Sequence, residues 1–260
     1  MAEKGGLKPH RCRYWMQPQI DDEAVFAEEV REVVEVHQAA QGLRSAGVRV
    51  VSCDEKTGMQ AIERHGQWAM KPGRPERQEA WYTRHGTLSL TANLDLATGE
   101  VVAPTMAKTR TNADFVAHVA NTVATSPESG WVFVVDNLNT HTSAELVAWV
   151  AAKCGISEDL GEKGVRGQLR DRHSRASFLR TVSHRIRFIY TPKHCSWLNE
   201  IERWFSKLSR SVLRRGSFTG LDALRARVTD YITHYNAVDA KPHRWKISYQ
   251  DLMAKFRIAT

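Results

Sequence analysis

The chain has 260 residues, 42% of them hydrophobic, which suffices for one large folded domain or two small ones and excludes a largely disordered protein. No apolar run reaches the roughly 18 residues that a membrane helix needs, and the first residues lack a secretory signal, so a cytoplasmic protein is expected. The net charge of +8 favours a polyanionic partner, nucleic acid before membrane, although a generally basic soluble protein fits the charge equally well.

The first half of the chain predicts a helix, a strand, a hairpin and a second helix. Asp21 and Asp22 can cap the first helix, whose apolar residues recur at helical spacing to about residue 43. The predicted elements after it are a strand over 48–54 that ends in Asp54, a loop over 64–80, strands over 87–94 and 100–103 around the turn Asp95–Gly99, and a helix over about 112–125.

The second half alternates helices with apolar strands. The continuous apolar run over 131–136 is typical of a strand buried on both faces, and it too ends in an acid, Asp136. This order of elements predicts an α/β protein with a mixed sheet flanked by helices. The remaining predicted elements are a helix over about 142–153, a segment without clear periodicity over 155–184, a strand over 185–190, and helices over about 197–213 and 221–235.

Asp54 and Asp136, which both follow apolar strands, suggest a metal site. The carboxyl ends of neighbouring strands meet at one edge of an open α/β sheet, and two adjacent buried anions require a cation. A hard divalent ion such as Mg²⁺ suits oxygen ligands and keeps waters for substrate phosphates. Each aspartate alone could equally be a turn or helix-cap residue.

Helical geometry selects Glu202 as a third acid. At 3.6 residues per turn, Glu202 lies on the boundary between two stripes of the predicted helix. Glu200 lies nearer the basic stripe and is expected to be an ion-pair partner, which is also the alternative for Glu202. The apolar stripe consists of Leu198, Ile201, Phe205, Leu208 and Val212, and the basic stripe of Arg203, Lys207, Arg210 and Arg214.

Three neighbours, Glu55, Asn137 and His141, are expected to support these acids without replacing them. Glu55 follows Asp54 directly, and successive strand residues point to opposite faces of a sheet, so both should not face the same metal. His141 could orient a phosphate or an attacking water, or it could cap the next helix.

Positive charge is concentrated on both sides of Glu202 in the sequence. Residues 162–187 contain eight Lys or Arg and two acids, and residues 203–215 contain five Lys or Arg and no acid. Basic surface beside such carboxylates suits a phosphodiester backbone, although a solvated basic face is the alternative. Trp197 and Trp204 could stack on a base or pack in the core. The residues expected to contact DNA are Arg170, Arg172, Lys193, Arg203, Lys207, Arg210 and Arg214.

The acidic segments resemble the three acidic blocks of DDE transposases, in particular those of the mariner-like bacterial insertion-sequence transposases, the insertion-sequence six-thirty family. The similar segments are Cys53–Thr57, Asp136–Asn137 with His141, and Tyr190–Phe205. The resemblance covers about residues 7–250, and its third block is specific. It implies a ribonuclease H-like fold, and DNA cleavage and strand transfer with two Mg²⁺ or Mn²⁺ ions bound by Asp54, Asp136 and Glu202.

The resemblance also implies domain boundaries and partners. Residues 46–240 are expected to form the catalytic domain, with a basic insertion at about 155–184, and 241–260 a C-terminal tail. Such transposases carry an N-terminal helix-turn-helix region that reads the element's ends, and Gly5–Arg11 resembles only its tail. Residues 1–45 are therefore expected to be a remnant of that region. DNA, as element ends and target, is the expected partner, together with a second copy of the chain.

The predicted function is that of an Mg²⁺-dependent transposase catalytic domain. Two alternatives are a related ribonuclease H-like nuclease and a truncated, non-catalytic DNA-binding remnant. The nuclease would hydrolyse DNA without strand transfer. The remnant would bind DNA without metal-dependent cutting, or its three acids would lie too far apart to share a metal.

Overall fold

A five-stranded mixed sheet lies at the centre of the computed structural model, which describes residues 20 and 22–259. The strands are β1 (Val48–Arg64), β2 (Gln67–Trp68), β3 (Arg77–Gln78), β4 (Tyr82–Asp95), β5 (Val101–Ala107), β6 (Gly130–Val135), β7 (Gly161–Glu162), β8 (Arg166–Gly167) and β9 (Ile186–Tyr190). Across the main sheet the order is β5-β4-β1-β6-β9. β5, β4 and β1 are antiparallel, whereas β1, β6 and β9 are parallel, as a mixed sheet requires.

Helices cover both faces of this sheet. They are α1 (Glu23–Ser45), α2 (Asn112–Ala124), α3 (Ala144–Lys153), α4 (Arg172–Arg180), α5 (Ile201–Leu208), α6 (Leu221–His234) and α7 (Tyr249–Ala259). α2, α3 and α4 pack on one face, over Phe133 and Phe188. On the other face, α1 covers the parallel half, and α5 and α6 cover the antiparallel half. β6 is therefore buried on both faces, which explains its continuous apolar sequence.

None of the described helices is both long and apolar enough to cross a membrane.

Side-chain caps explain where three predicted helices begin. Asp22 accepts hydrogen bonds from the first turn of α1, Thr111 and Asp114 form a reciprocal capping box on α2, and Ser143 caps α3. These starts confirm the predicted helices. Asp21, the other cap candidate, lies outside the described residues.

The strand predicted over 48–54 continues to Arg64, so the prediction that it ends at Asp54 is wrong. Its second half pairs with β4 in a long antiparallel arm that ends at the pair Arg64–Tyr82. The predicted loop over 64–80 also contains strand residues, since β2 pairs with β3. Cross-strand hydrogen bonds join the two strands of this arm, and one of its faces packs on α5 and α6 through Met59, Ala61, Leu88 and Leu90.

Two helices occur where the sequence shows no helical periodicity. α4 lies within 155–184 and is capped by Asp171, which accepts a hydrogen bond from Ser174 N at 2.8 Å. α7 lies within the predicted tail 241–260, and its buried Leu252 joins the core formed with α1. The helix-turn-helix remnant is expected over residues 1–45; of these, 1–19 and 21 lie outside the described part of the chain, and α1 forms most of the rest.

The helix predicted over 197–213 is divided into three pieces. A 3₁₀ turn, Ser196–Leu198, precedes α5, and a π-helical turn, Ser209–Leu213, follows it. The interruption lies at Asn199, whose side chain turns into the protein and donates a hydrogen bond to Cys53 O at 3.0 Å. A tertiary contact therefore replaces one helical turn.

The turn between β4 and β5 confirms the predicted hairpin and requires a glycine at Gly99. Asp95 Oδ1 accepts hydrogen bonds from Ala97 N at 2.9 Å and Thr98 N at 3.1 Å. Gly99 has φ +79°, and an added Cβ would lie 2.0 Å from Lys241 O. A side chain here would be strained and would displace the following backbone segment.

We expect Gly99→Ala to lower the free energy of unfolding by at least about 1 kcal/mol, because the new Cβ meets backbone and the φ angle is unfavourable. The matched control is Gly42→Ala, since Gly42 is exposed within α1 and has nothing within 4 Å. That control should raise the free energy of unfolding by about 0.5–1 kcal/mol. Denaturant titration measures the free energy of unfolding of both variants. Equal changes in that free energy would contradict the requirement for glycine at position 99.

Candidate active site

Asp54 and Asp136 lie level with each other on neighbouring parallel strands. β1 and β6 are paired up to Ser52 and Val134, so each acid follows the same pair by two residues and faces the same side of the sheet. Asp54 lies inside β1, whereas Asp136 follows the last residue of β6. Asp54 is only 7% exposed, whereas the side chain of Asp136 is 38% exposed.

Hydrogen bonds at the start of α5 hold Glu202 beside this edge. Ile201 N donates to Ser52 Oγ at 2.9 Å, and Ser52 Oγ donates to Asn199 Oδ1. Asn199 Nδ2 donates to Asp54 Oδ2 at 3.2 Å. These bonds fix the first turn of α5 against β1, and with it the helix that carries Glu202.

The sequence patterns give little sign of Ser52 and Asn199, although both are central to this arrangement. Ser52 is a polar residue in an apolar strand, two residues before Asp54 and therefore on the same face. Asn199 lies three residues before Glu202 in the specific third block. A buried serine facing a buried asparagine becomes recognisable only when the pairing of β1 with α5 is known.

The three acids interact electrostatically with one another. Burial raises the pKa of Asp54 to about 7, and the negative charges of Asp136 and then Glu202 add to this. Burial also raises the pKa of Glu202, with Lys56 opposing the shift and Asp136 adding to it. The edge therefore carries carboxylate charge that the protein compensates only in part.

His141 lies behind Asp136 as a buried cation. Its Nδ1 is 2.8 Å from Asp136 Oδ1, its Nε2 is 3.3 Å from Glu55 Oε1, and its side chain is fully buried. Burial opposes its protonation, but hydrogen bonds to Asp136 and Glu55 outweigh burial and raise the pKa of His141 to about 10. The same contact with His141 lowers the pKa of Asp136 against the effect of burial.

The surroundings of His141 decide between its predicted roles. Its ring packs on Phe115 with centroids 4.3 Å apart, and Tyr190 Oη donates to its carbonyl oxygen at 3.0 Å. Ser143, not His141, caps α3, so the predicted capping role is wrong. A fully buried ring also lacks the access that a phosphate ligand needs. His141 instead positions Asp136, and Glu55 holds its other nitrogen from the face opposite to Asp54.

The loop after Asp136 is fixed by Asn137 and Arg172. Asn137 Nδ2 donates to Thr191 O at 2.6 Å. Arg172 Nη2 donates to the carbonyl oxygen of Asn137 and, at 3.2 Å, to its Oδ1, while Arg172 Nε donates to Thr142 Oγ1 at 3.4 Å. Arg172 therefore uses its donors to support this loop, which leaves fewer of them for the expected contact with DNA.

The two predicted stripes are present along residues 198–214, of which α5 forms the middle part. All five residues of the apolar stripe are buried, and all four residues of the basic stripe are exposed. Glu200 forms the expected ion pair, with its Oε2 3.0 Å from Arg203 Nη1.

Of the two tryptophans that could stack on a base or pack in the core, Trp204 is 2% exposed and packs in the core, whereas Trp197 is 39% exposed. Lys193 and Arg170 are also exposed, and Arg170 pairs with Asp171 at 2.7 Å.

An open cleft of about 640 Å³ borders Asp136 and is lined by residues of the loop 191–197. Lys193 and Trp197 both line it, so a cation and an aromatic ring share the cleft with Asp136. This combination suits a nucleic acid strand, whose phosphates need positive charge and whose bases offer stacking faces.

The donor chemistry at this edge suits a hard divalent cation, because the three side chains offer only carboxylate oxygens. In residues 20 and 22–259, however, no group of three or more His, Cys, Asp or Glu side chains is arranged so that it could hold a metal ion. The three carboxylates thus share a sheet edge and influence one another's pKa, but they do not form a closed set of ligands.

One protein family and several solved structures resemble this chain. Residues 49–225 match the family described as DDE superfamily endonuclease. No curated protein matches the chain. Solved structures with the same fold include the Mos1 mariner paired-end complex with Mg, at a TM-score of 0.53 and 16% identity, covering 97% of this chain and 65% of that one.

Two further similar structures are complexes of the same transposase. The pre-cleavage Mos1 transpososome has a TM-score of 0.53 and 13% identity, covering 98% of this chain and 66% of that one. The Mos1 mariner paired-end complex with Mn has a TM-score of 0.52 and 14% identity, covering 86% of this chain and 59% of that one. The chain thus spans less than two thirds of the length of these proteins. The likeness confirms the predicted ribonuclease H-like fold.

Proposed function

Because the chain belongs to the DDE superfamily endonuclease family, we propose that it is the catalytic domain of a DNA transposase. The reaction would be metal-dependent cleavage of a DNA strand followed by transfer of the cut strand to new DNA. The observation that carries the proposal is geometric: Asp54 and Asp136 lie level on neighbouring strands, and hydrogen bonds to Ser52 and Asp54 hold the start of the helix that carries Glu202 beside them. Exposed basic side chains along the same helix as Glu202 support DNA as the substrate.

Asp54, Asp136 and Glu202, which are not a closed set of ligands by themselves, would hold two divalent ions together with the phosphate of bound DNA, and those ions would neutralise the phosphate and activate the attacking oxygen. Water, and later a DNA 3′-hydroxyl, would attack phosphorus in line, and the bond from phosphorus to the departing oxygen would break as the new bond forms. Asn199 orients Asp54 through its hydrogen bond. His141 keeps Asp136 ionised, since its contact lowers the pKa of that carboxyl.

Element ends and target DNA would be the partners, and a second copy of the chain would complete the assembly. The similar Mos1 structures include a paired-end complex and a strand transfer complex. Basic surface that gives affinity without reading sequence would serve both kinds of DNA.

The proposal predicts that Mg²⁺ or Mn²⁺ stabilises the full chain. An ion that binds only the folded protein should raise the free energy of unfolding by about 2.7 kcal/mol at a hundred times its dissociation constant. The melting temperature in either ion, compared with EDTA at equal ionic strength, measures this. The same preparations should nick plasmid DNA and join pre-cleaved ends to it only when the metal is present.

The two alternatives give different results in these assays. Metal-dependent nicking without joining would identify a nuclease rather than a transposase. DNA binding with neither metal stabilisation nor nicking would identify a non-catalytic remnant and would overturn the assignment of the three acids.

A further inference from the structure

A second cavity, of about 270 Å³, lies on the side of α5 turned away from Glu202. Trp204 lies in its wall, and at 100° per residue Trp204 is about 200° around the helix from Glu202. Residues from the C-terminal segment 241–244 form the opposite wall. That segment is held close by the hydrogen bond from His243 N to Leu96 O at 3.1 Å.

Four cations surround this cavity and outnumber its acids. Arg203 and Lys207 come from α5, and Lys241 and Arg244 come from the C-terminal segment; all four are exposed to solvent. Lys207 Nζ lies 5.7 Å from the centre of the Tyr235 ring, which forms part of the same wall.

The two carboxylates in the lining leave a surplus of positive charge. Glu200 is 6% exposed and is already paired with Arg203 at 3.0 Å, while burial lowers the pKa of the neighbouring His243 to about 4 and leaves that ring neutral. Asp239 is the other acid. Lys241 and Arg244 form no ion pair with a carboxylate of the described chain, so their charge is directed to solvent or to a ligand.

A buried donor in the wall points to the same class of ligand. The indole Nε1–H of Trp204 is buried and has no acceptor among the residues that the structure describes. A buried N–H without a partner is unfavourable, so it is normally paired with an acceptor. A ligand that brings negative charge would neutralise the surplus, and its oxygen atoms would accept hydrogen bonds from the exposed cations of the lining.

We propose that this cavity binds a phosphate group of the DNA backbone, separate from the phosphate that reacts at the acids. The inference rests on the proposed function for the identity of the ligand, and on Arg203, Lys207, Lys241 and Arg244 for the site. The diameter of α5 with its side chains, about 10–12 Å, separates the two positions, so the contact would fix flanking DNA while the acids act on another phosphate.

The test compares Lys241→Gln with Lys246→Gln in the full chain. Both lysines are exposed and belong to the same segment, but only Lys241 lines the cavity. Each variant loses one positive charge, so non-specific charge effects are matched. Duplex DNA affinity is measured over a range of salt concentrations. Lys241→Gln should reduce the slope of log affinity against log salt by about 1, whereas Lys246→Gln should leave it unchanged.

A second experiment adds inorganic phosphate at constant ionic strength and measures the melting temperature. Phosphate should raise the melting temperature of the wild-type chain and of Lys246→Gln, but not that of Lys241→Gln. Equal salt slopes and equal phosphate responses for the two variants would overturn the site. A phosphate response lost only in Lys241→Gln, with equal salt slopes, would assign the cavity to a small phosphate compound and reject the DNA contact. Absence of DNA binding by the wild type would count against the proposed function. The melting temperatures in inorganic phosphate would still test whether the cavity binds phosphate.

Discussion

Glu202→Gln and Asp54→Asn should each abolish metal-dependent nicking while leaving DNA binding intact. Both substitutions keep the shape of the side chain and remove the negative charge that would hold the cation. Loss of one group that stabilises developing charge lowers kcat by about 10²–10³-fold, and loss of a charged metal ligand should cost at least as much. Plasmid nicking in Mg²⁺ and Mn²⁺ measures the rate, and duplex affinity is measured in EDTA.

Stability measurements distinguish loss of chemistry from loss of fold. Burial, and then the negative charge of Asp136, raise the pKa of Asp54 to about 7, so Asp54→Asn removes a buried charge and a repulsion. Its melting temperature in EDTA should stay close to that of the wild type, because the relief of charge offsets the loss of one of the two acceptors that serve Asn199 Nδ2 and Glu55 N. Matched controls are Glu35→Gln and Asp230→Asn, which change exposed acids on α1 and α6 and should nick at the wild-type rate. Normal nicking by Glu202→Gln would refute its assignment.

Local sequence patterns were sufficient to predict the helices and strands in which buried residues recur at a regular spacing. β6 is buried on both faces, and its uninterrupted apolar run shows this. α5 separates buried Phe205 from exposed Lys207, and its 3.6-residue period placed Glu202 at the boundary before any tertiary contact was known. Asp54 and Asp136 were proposed for a related reason, because each follows an apolar run of residues.

Features that depend on distant partners were not predictable in this way. The arm of β1 beyond Asp54 is defined by its pairing with β4, and its own residues carry no strong alternation. Asn199 breaks a helical pattern because it bonds to Cys53 and Asp54, which lie far away in sequence. His141 looks like a loop residue until Glu55, on another strand, is known to meet its second nitrogen.

Replacement of His141 by phenylalanine should lower the free energy of unfolding by about 3–5 kcal/mol, the cost of removing one partner from a buried ion pair. The phenyl ring retains the packing on Phe115, but Asp136 and Glu55 lose the cation that lies between them. Glu55→Gln combined with His141→Phe should recover part of the loss, because one of the two stranded charges is removed. Additive effects in this double-mutant cycle would argue against the ion pair.

The pH dependence of stability separates this ion pair from simple packing. In EDTA, the folded-state pKa of His141 is raised from 6.5 to about 10 by its carboxylate partners, against the effect of burial. A histidine whose folded pKa lies above its unfolded value stabilises the protein fully below the lower pKa and loses that contribution as pH rises through the higher one. The wild-type free energy of unfolding should therefore fall between pH 6.5 and about pH 10 relative to that of His141→Phe. Parallel curves for the two proteins across this range would show that His141 is neutral in the fold, and Asp136 would then lack the positive charge that keeps it ionised.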